Sequence, residues 1–252
     1  VLKTMKNDNI TGFFGVPTHF HGILSLEQSI LNNAKSHQLK SIISNAAALP
    51  QQMKGQIIEH FGEGLLHETY GSTEGGIISN LRPDDQLKKL QCVGQAFPCT
   101  EIKTLTESGT ICEPNEIGEL FSTSPYLFNG YWKRPDETKE ALVDGWLTVG
   151  DMARQDEDGY LYIVDRKKDM VISGGINIYP REIEDVLYNH PHIEDVAVIG
   201  VPDEKWGESL KAFIVTNNPD ELQSEDVLSF CEQNISKIKT PKIIEFIDTI
   251  PR

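Results

Sequence analysis

The chain has 252 residues, of which 38% are hydrophobic and 24% are charged, which is ordinary for a globular protein with one large or two modest domains. Its formal net charge of -15 argues against a general nucleic-acid binder, because such proteins present a basic face to phosphates. The four cysteines lack C-x-x-C spacing, no apolar run reaches the length of a transmembrane segment, and no signal peptide is recognisable. We therefore expect free thiols and a cytoplasmic protein.

The first 76 residues alternate predicted helices and strands. Helical spacing of apolar residues covers Gly22 to Ser36 and Pro50 to Phe61, and short apolar runs at Leu39 to Ser44 and Gly64 to His67 predict strands. This alternation is typical of an α/β fold, in which a parallel sheet carries its ligands at the carboxyl ends of the strands. Polar segments follow both strands, so we expect them at the ligand-binding edge.

The character of the sequence changes between Ile77 and Asp165. Short strands separated by turns predict a small antiparallel β barrel or sheet, which one helix interrupts at Pro135 to Leu142. After Lys168, strands and helices such as Pro180 to Asn189 predict a compact α+β domain. The predicted fold class is therefore α/β with α+β: the later part of a large sheet-and-helix domain with a small antiparallel β barrel, followed by a small C-terminal domain.

The segment Tyr70-Gly71-Ser72-Thr73-Glu74 is predicted to form the turn after a buried strand. Its aromatic ring could stack on a base, and Gly71 would let the backbone approach a ligand closely. The Thr73 hydroxyl could donate to a phosphate oxygen, and Glu74 could hold Mg²⁺, which prefers carboxylate and phosphate oxygens. An ordinary glycine turn with a cap is the alternative.

Three further features suit a sugar–phosphate ligand. Asp151 closes the segment GWLTVGD and could accept hydrogen bonds from two vicinal hydroxyls, although a turn aspartate is the commoner role. Arg166 has the rigid fork that suits ribose or phosphate oxygens, with a surface salt bridge as its alternative. Gly174-Gly175 would let a thin ligand approach the backbone or would simply form a tight turn.

Taken in order, these segments resemble a known family. YGSTE, GWLTVGD, the stretch DRKKDMVISGGINIYPREIE (Asp165 to Glu184) and the later VAVIGVPDEKWGESLKAFIV resemble core motifs of the adenylate-forming superfamily, which comprises acyl-CoA synthetases, peptide-synthetase adenylation domains and luciferases. The resemblance covers essentially the whole chain. It implies a partial AMP-binding domain at residues 1–166, with an α/β part (1–76) and a β-rich part (77–166). A mobile α+β domain is implied at residues 167–252, ending before the family's domain does.

The resemblance also implies roles for residues around the base. Asn45-Ala46-Ala47-Ala48 stand where the family has a small-residue loop against adenine, although the usual version is Gly-Gly-Ala-Pro. Glu68 and Thr69 would offer their backbone to the adenine, and Tyr70 would offer its ring.

Around the phosphates and the metal, the resemblance implies that Gly71 and Ser72 line the nucleotide site. Thr73 would bind the α-phosphate and Glu74 would hold the magnesium ion. With Arg166, these two residues form the expected catalytic set.

For the later motifs, the resemblance implies that Asp151 holds the ribose hydroxyls, with Ile163 and Arg166 beside them. Lys168 would be the hinge on which the second domain rotates between two half-reactions. Gly174 and Gly175 would line the channel for the thiol of coenzyme A.

The implied reaction has two steps and uses ATP, Mg²⁺ and coenzyme A. A carboxylate attacks the α-phosphate of ATP and pyrophosphate leaves, after which a thiol displaces AMP from the acyl-adenylate. The expected partners are a small carboxylic acid, ATP and CoA, with no nucleic acid and no transmembrane segment, and a homo-oligomer is compatible with the sequence. The family's phosphate loop and catalytic lysine are not in the chain, so we expect it to adenylate poorly or not at all by itself.

Three functions remain open at this stage. The first is an acyl-CoA ligase for a fatty or other hydrophobic acid. The second is an adenylation domain that activates an amino or aryl acid for a carrier protein. The third is a nucleotide-binding fragment without catalytic activity, which would bind AMP without turnover.

Overall fold

The computed structural model describes residues 1–34, 37–217 and 222–251, and the chain divides into two compact units. Unit 1 comprises Val1–Val149 and Ala153–Ile163, and unit 2 comprises Gly150–Met152 and Val164–Arg252. The expected boundary lies between Arg166 and Lys167. That boundary and the mobility of the second domain stay predictions.

The first sheet lies in unit 1 and has five strands in the order β1-β2-β3-β4-β5. These strands are β1 (Gly12–Gly15), β2 (Ser41–Ser44), β3 (Leu66–Ser72), β4 (Gly76–Leu81) and β5 (Gln95–Ala96). The accompanying helices are α1 (Leu2–Asn7), α2 (Pro17–Leu24), α3 (Gln28–Ala34) and α4 (Gln51–Phe61). The first three strands pair in parallel and the other two antiparallel, which confirms the predicted α/β architecture. The core beneath this sheet is apolar and includes Phe20, Ile42, Ile57 and Leu66.

The prediction of one continuous helix from Gly22 to Ser36 is wrong, because the structure has two separate helices, α2 and α3. The break begins at Ser25, whose hydroxyl donates to the His21 carbonyl at 2.8 Å and thereby satisfies an acceptor at the end of α2. Lys35 and Ser36 lie outside the described residues.

The strand predicted to stop at His67 continues to Ser72. It is extended by its antiparallel pairing with β4, in a register that runs from Glu68 opposite Leu81 to Ser72 opposite Gly76. Most of the YGSTE segment therefore lies within a strand, and the turn itself is confined to residues 73–75.

The second sheet has six strands, and among the described residues it does not close into the expected barrel. Its strands are β6 (Glu101–Leu105), β7 (Gly118–Thr123), β8 (Leu142–Val143), β9 (Trp146–Leu147), β10 (Asp151–Gln155) and β11 (Leu161–Arg166). They run in the order β11-β10-β7-β9-β8, with β6 also paired to β7. Closure would require the terminal strands to pair with each other, and β8 at one end has only two residues. Helix α5 (Pro135–Ala141) precedes β8.

Unit 2 contains the third sheet, in the order β13-β12-β15-β14 with β16 paired to β15. Its elements are β12 (Val171–Ser173), β13 (Ile176–Ile178), α6 (Pro180–Leu187), β14 (Ile193–Asp203), β15 (Gly207–Thr216), α7 (Ser224–Asn234) and β16 (Ile243–Phe246). Ile183 and Leu187 on α6 are fully buried in one cluster with Val196 and Val198 of β14. This arrangement confirms the predicted α+β character of the second part.

None of the described helices combines the length and the apolar character that crossing a lipid bilayer requires.

Truncating Ile183 to alanine should destabilise unit 2, because the side chain is fully buried and its removal leaves a cavity that costs about 2–5 kcal/mol. Hydrogen exchange of the β14 and β15 amides would measure this, and we expect exchange at least about 30-fold faster. Ile172→Ala is the matched control, because Ile172 is half exposed in the same unit. Equal effects of the two substitutions would contradict the assignment of the core.

Candidate functional site

The residues that the sequence singles out fall into two groups. Those between Asn45 and Glu74, together with Ile163, lie in unit 1. Asp151, Arg166, Lys168 and the two glycines of the β12–β13 hairpin lie in unit 2.

In unit 1, the loop after β2 lies beside β3 because the two strands pair with Ser44 opposite Glu68. The Asn45 side-chain amide donates to the Thr69 hydroxyl at 2.7 Å, which joins the loop to the strand. Ala46 adopts a positive φ of 75°, and Ala46-Ala47-Ala48 are exposed. The structure therefore presents small side chains along an open loop at the carboxyl edge of the parallel strands.

Glu68 is buried and forms an ion pair with the equally buried Lys54 of α4. Its other carboxylate oxygen accepts a hydrogen bond of 3.0 Å from the Leu49 backbone amide. The Glu68 side chain thus ties α4, β3 and the end of the Asn45 loop together. Sequence reasoning missed Lys54, because nothing in a helical pattern indicates that a lysine is buried.

Tyr70 and Ile163 meet in one cluster although they are far apart in sequence. Both are partly buried against the core formed by Leu120, Ala153 and Leu161. The Tyr70 ring therefore packs on a fixed apolar surface, which limits its orientation.

The turn between β3 and β4 is built for close backbone contact. A β-bulge separates Tyr70 from Gly71, and a Cβ atom on Gly71 would lie 2.0 Å from the Gly76 carbonyl oxygen, so only glycine fits there. The Ser72 hydroxyl accepts a hydrogen bond of 3.0 Å from the Gly75 amide. Thr73 at the tip of the turn is exposed.

Glu74 follows in the same turn and is half buried. Its Oε1 accepts a hydrogen bond of 2.7 Å from the Tyr131 hydroxyl, and its main-chain oxygen accepts one of 2.7 Å from the Phe128 amide. The hydrogen bond to Glu74 raises the pKa of Tyr131 above its ordinary value, so the phenol remains protonated and continues to donate. Sequence reasoning missed Tyr131, and no local pattern connects it to Glu74.

The arrangement fits a magnesium ion that is shared with phosphate but does not fit a metal site made of protein ligands alone. Within residues 1–34, 37–217 and 222–251, no group of three or more His, Cys, Asp or Glu side chains is placed to hold a metal. Mg²⁺ commonly binds one or two carboxylates together with phosphate oxygens and water. Glu74 can supply one such carboxylate.

In unit 2, Asp151 and Arg166 form an ion pair of 2.7 Å between Arg166 Nε and Asp151 Oδ1. Asp151 is buried, whereas more than half of the Arg166 side chain is exposed. The salt bridge that was the alternative for Arg166 is thus present. It leaves the guanidinium at the surface, where its remaining donors can reach a ligand.

The segment of residues 165–169 at the end of β11, here called the polar joint, is held by Asp165. This residue accepts hydrogen bonds from the backbone amides of Arg166 at 2.8 Å and Arg181 at 3.0 Å. Lys168 lies in a short 3₁₀ turn (Lys167–Asp169) and is exposed. The joint is therefore ordered at Asp165, and the exposed turn follows it directly.

Gly174 and Gly175 form the two-residue loop of the β12–β13 hairpin, with φ of 59° and 81°. Positive φ at both positions is what a type I′ turn requires. The Gly174 amide donates to the Trp206 carbonyl at 2.9 Å, and a Cβ atom on Gly174 would lie 2.7 Å from the Trp206 ring. At Gly175 a Cβ atom would meet nothing within 4 Å. The tight turn is thus present, and the space beside Gly175 is open.

Comparison with known proteins identifies the family. The model of the AMP-binding enzyme family matches residues 1–132, and the model of the AMP-binding enzyme C-terminal domain matches residues 182–252. The chain belongs to the AMP-binding enzyme family. The predicted superfamily is thereby confirmed.

Two of the curated relatives are named as a CoA ligase and a CoA synthase. This chain is 37% identical to a long-chain-fatty-acid–CoA ligase of Bacillus subtilis (strain 168), with all of the chain aligned to 44% of that protein. It is 35% identical to a feruloyl-CoA synthase of Amycolatopsis, with all of the chain aligned to 50% of that protein. The chain therefore spans about half the length of the curated relatives that it matches.

Solved structures agree with the family assignment. ATP-bound MatB from Rhodopseudomonas palustris is 31% identical with a TM-score of 0.89, and all of this chain matches 49% of it. The o-succinylbenzoate CoA synthetase MenE of Bacillus subtilis, in complex with ATP and magnesium, is 28% identical with a TM-score of 0.87, and all of this chain matches 50% of it.

Replacing Lys54 by methionine should destabilise the protein by about 3–5 kcal/mol, because the buried carboxyl group of Glu68 would lose the partner that compensates its burial. The double variant Lys54→Met/Glu68→Gln should be more stable than Lys54→Met alone, since glutamine removes the charge and keeps an acceptor for the Leu49 amide. Urea denaturation of the four members of this cycle measures the coupling. Additive effects would show that the ion pair contributes nothing specific.

Gly174→Ala should destabilise the β12–β13 hairpin more than Gly175→Ala does. Both substitutions place alanine at a positive φ, at a cost of about 1–2 kcal/mol, but only the first also drives a Cβ atom into the Trp206 ring. Thermal denaturation of both variants tests the difference. Partial rescue of Gly174→Ala by Trp206→Leu would support the steric cause, and equal destabilisation by the two alanines would refute it.

Proposed function

We propose that this AMP-binding enzyme contributes to an ATP-dependent acyl-CoA ligase that acts on a hydrophobic carboxylic acid. The observation that carries the proposal is the edge of the first sheet, where the small-residue loop follows β2, Tyr70 lies on the paired strand β3, and Glu74 lies in the turn after β3. The names of the curated relatives support CoA as the acyl acceptor.

In unit 1, the exposed loop Asn45-Ala46-Ala47-Ala48 and the backbone of Glu68 and Thr69 would contact the adenine. The Tyr70 ring would stack on it, and its packing on an apolar cluster would hold the ring in place. The Glu68 carboxylate already contacts Lys54 and the Leu49 amide, so Glu68 would contact the base only through its backbone atoms. A loop of small side chains would then select the flat, uncharged base by shape.

Around the phosphates, Gly71 and Ser72 would line the site, and the exposed Thr73 hydroxyl would donate to the α-phosphate. Glu74 would hold Mg²⁺, which would neutralise charge on the phosphate oxygens when bound. The acid carboxylate would attack the α-phosphorus while the bond to pyrophosphate breaks. Donors whose positions are fixed before the reaction need not reorganise when they stabilise the charge that builds on the phosphate oxygens.

In unit 2, Asp151 would accept hydrogen bonds from the ribose hydroxyls and Arg166 would donate to ribose or phosphate oxygens. Ile163, which packs on the same apolar cluster as Tyr70 in unit 1, would contribute an apolar contact there. The ion pair between Asp151 and Arg166 holds both groups in defined positions before any ligand arrives, which lowers the entropic cost of binding.

In the second step the thiol of CoA would attack the acyl carbonyl carbon, and AMP would leave with the electrons of the broken C–O bond. Gly175, with open space where a side chain would stand, would let the thin pantetheine arm pass. Lys168, in the exposed turn that follows the joint at Asp165, would be the hinge for the change between the two steps. A hinge needs only a few residues that can change φ and ψ.

A second candidate substrate class is an aryl acid, and the feruloyl-CoA synthase relative favours it. We prefer a fatty acid because long-chain-fatty-acid–CoA ligases of several bacteria align with at least 93% of the chain at 37–38% identity.

We also place the protein in the cytoplasm and in fatty acid metabolism. The four free cysteines suit a reducing compartment.

Binding of ATP with Mg²⁺ to the 252-residue chain tests the nucleotide site. Isothermal titration calorimetry should show ATP binding, and Thr73→Ala and Asp151→Asn should each weaken it about tenfold, because each loses hydrogen bonds to a charged or polar ligand. The controls are Asp84→Asn in unit 1 and Asp248→Asn in unit 2, which change exposed aspartates outside the proposed site. Absence of ATP binding, or equal effects of the control variants, would overturn the proposed site.

The acid class can be tested with stable analogues of the acyl-adenylate that carry a long alkyl, an aryl or an aminoacyl group. We expect the long alkyl analogue to bind most tightly, since burial of each CH₂ contributes about 0.8 kcal/mol. Tightest binding of the aminoacyl analogue would instead favour an adenylation domain that loads a carrier protein.

A further inference from the structure

The segment from residue 126 to 134 reaches Glu74 at two points. The Phe128 amide donates to the Glu74 main-chain oxygen, and the Tyr131 hydroxyl donates to Glu74 Oε1, both at 2.7 Å. The Phe128 and Tyr131 rings also pack edge to face, with centroids 4.8 Å apart. Backbone and side chain of Glu74 are thus fixed by the same short segment.

Tyr131 is itself held by the first turn of α5. Its amide donates to the Thr138 hydroxyl at 2.9 Å, and that hydroxyl donates to the Arg134 carbonyl at 2.8 Å. Gly130 has a φ of 131°, and a Cβ atom there would lie 2.9 Å from Thr138 Cγ2, so the backbone before Tyr131 fits closely against the helix. A chain of hydrogen bonds therefore runs from α5 through Tyr131 to the Glu74 carboxylate.

We propose that Tyr131 is a positioning residue that orients the Glu74 carboxylate for a divalent cation shared with the phosphates of ATP. The proposal rests on the proposed function and adds to it a residue that neither the sequence motifs nor the resemblance indicates. A carboxylate has lone pairs for several partners, so a phenol on Oε1 is compatible with metal ligation by the same group. Groups that hydrogen-bond to a metal-ligating side chain fix its direction, and their loss costs about 10- to 100-fold in metal affinity.

The burial of Glu74 explains why positioning would be effective. A half-buried carboxylate between a fixed main-chain contact and a fixed phenol loses few rotamers when the cation arrives, so less entropy opposes binding. The phenol is neutral, so it orients the carboxylate without neutralising it. A lysine or arginine in the same place would compete with the cation for the negative charge.

The test compares Tyr131→Phe with Tyr126→Phe in the 252-residue chain. Tyr126 belongs to the same segment and is mostly exposed, and the two substitutions each remove one hydroxyl group. Binding of Mn²⁺ in the presence of ATP, followed by electron paramagnetic resonance, measures the cation affinity. Binding of ATP in the presence of EDTA measures the affinity for the nucleotide alone.

We expect Tyr131→Phe to weaken Mn²⁺ binding about tenfold and to leave metal-free ATP binding within about twofold. Tyr126→Phe should change neither quantity, and Glu74→Gln should weaken Mn²⁺ binding at least as much as Tyr131→Phe does. If Tyr131→Phe binds Mn²⁺ as wild type does, the proposal is wrong. If Tyr131→Phe lowers the affinity for Mn²⁺ and the affinity for metal-free ATP equally, Tyr131 only stabilises the fold of the segment, and the proposal is also wrong.

Failure of the proposed function gives a different result, because wild type would then bind no ATP under either condition. The comparison of Mn²⁺ affinity with metal-free ATP affinity therefore distinguishes failure of this inference from failure of the proposed function.

Discussion

The ion pair between Lys54 and Glu68 is the interaction on which the geometry of the candidate site in unit 1 depends. Both side chains are withdrawn from water, so each charge must be paired, and removal of either leaves the other uncompensated. Because the Glu68 carboxylate also accepts a hydrogen bond from the Leu49 backbone amide, it fixes the end of the small-residue loop. The position of that loop relative to β3 is therefore a consequence of a desolvated charge pair.

The glycines of the motifs lie in two hairpins, Gly71 in β3–β4 and Gly174-Gly175 in β12–β13, and the physical reason for glycine differs between them. At Gly71 the neighbouring backbone leaves no room for a Cβ atom, whereas at Gly175 the backbone has a positive φ and the surrounding space is open. The tight turn at Gly174-Gly175 is thus present, and the passage of a thin ligand beside Gly175 stays a proposal.

Much of the fold was predictable from the sequence because it follows local periodicity. The helix expected from Pro50 to Phe61 is present as Gln51–Phe61, and the helix expected from Pro135 to Leu142 is present as Pro135–Ala141. Two of the errors arose where non-local pairing decided the outcome. Strand β3 runs on to Ser72 because β4 pairs with it, and in the described part of the second sheet the terminal strands do not pair with each other, as a barrel would require.

The sequence by itself determined the family and the order of the motifs, since segments such as YGSTE and GWLTVGD are contiguous and need no fold to be recognised. Only the tertiary structure decided which residues support them. Lys54 meets Glu68 across 14 residues and Tyr131 meets Glu74 across 57, and no spacing rule connects such pairs. The physical reason is that burial and long-range hydrogen bonds are properties of the packed chain, whereas periodicity reports only which face of an element is apolar.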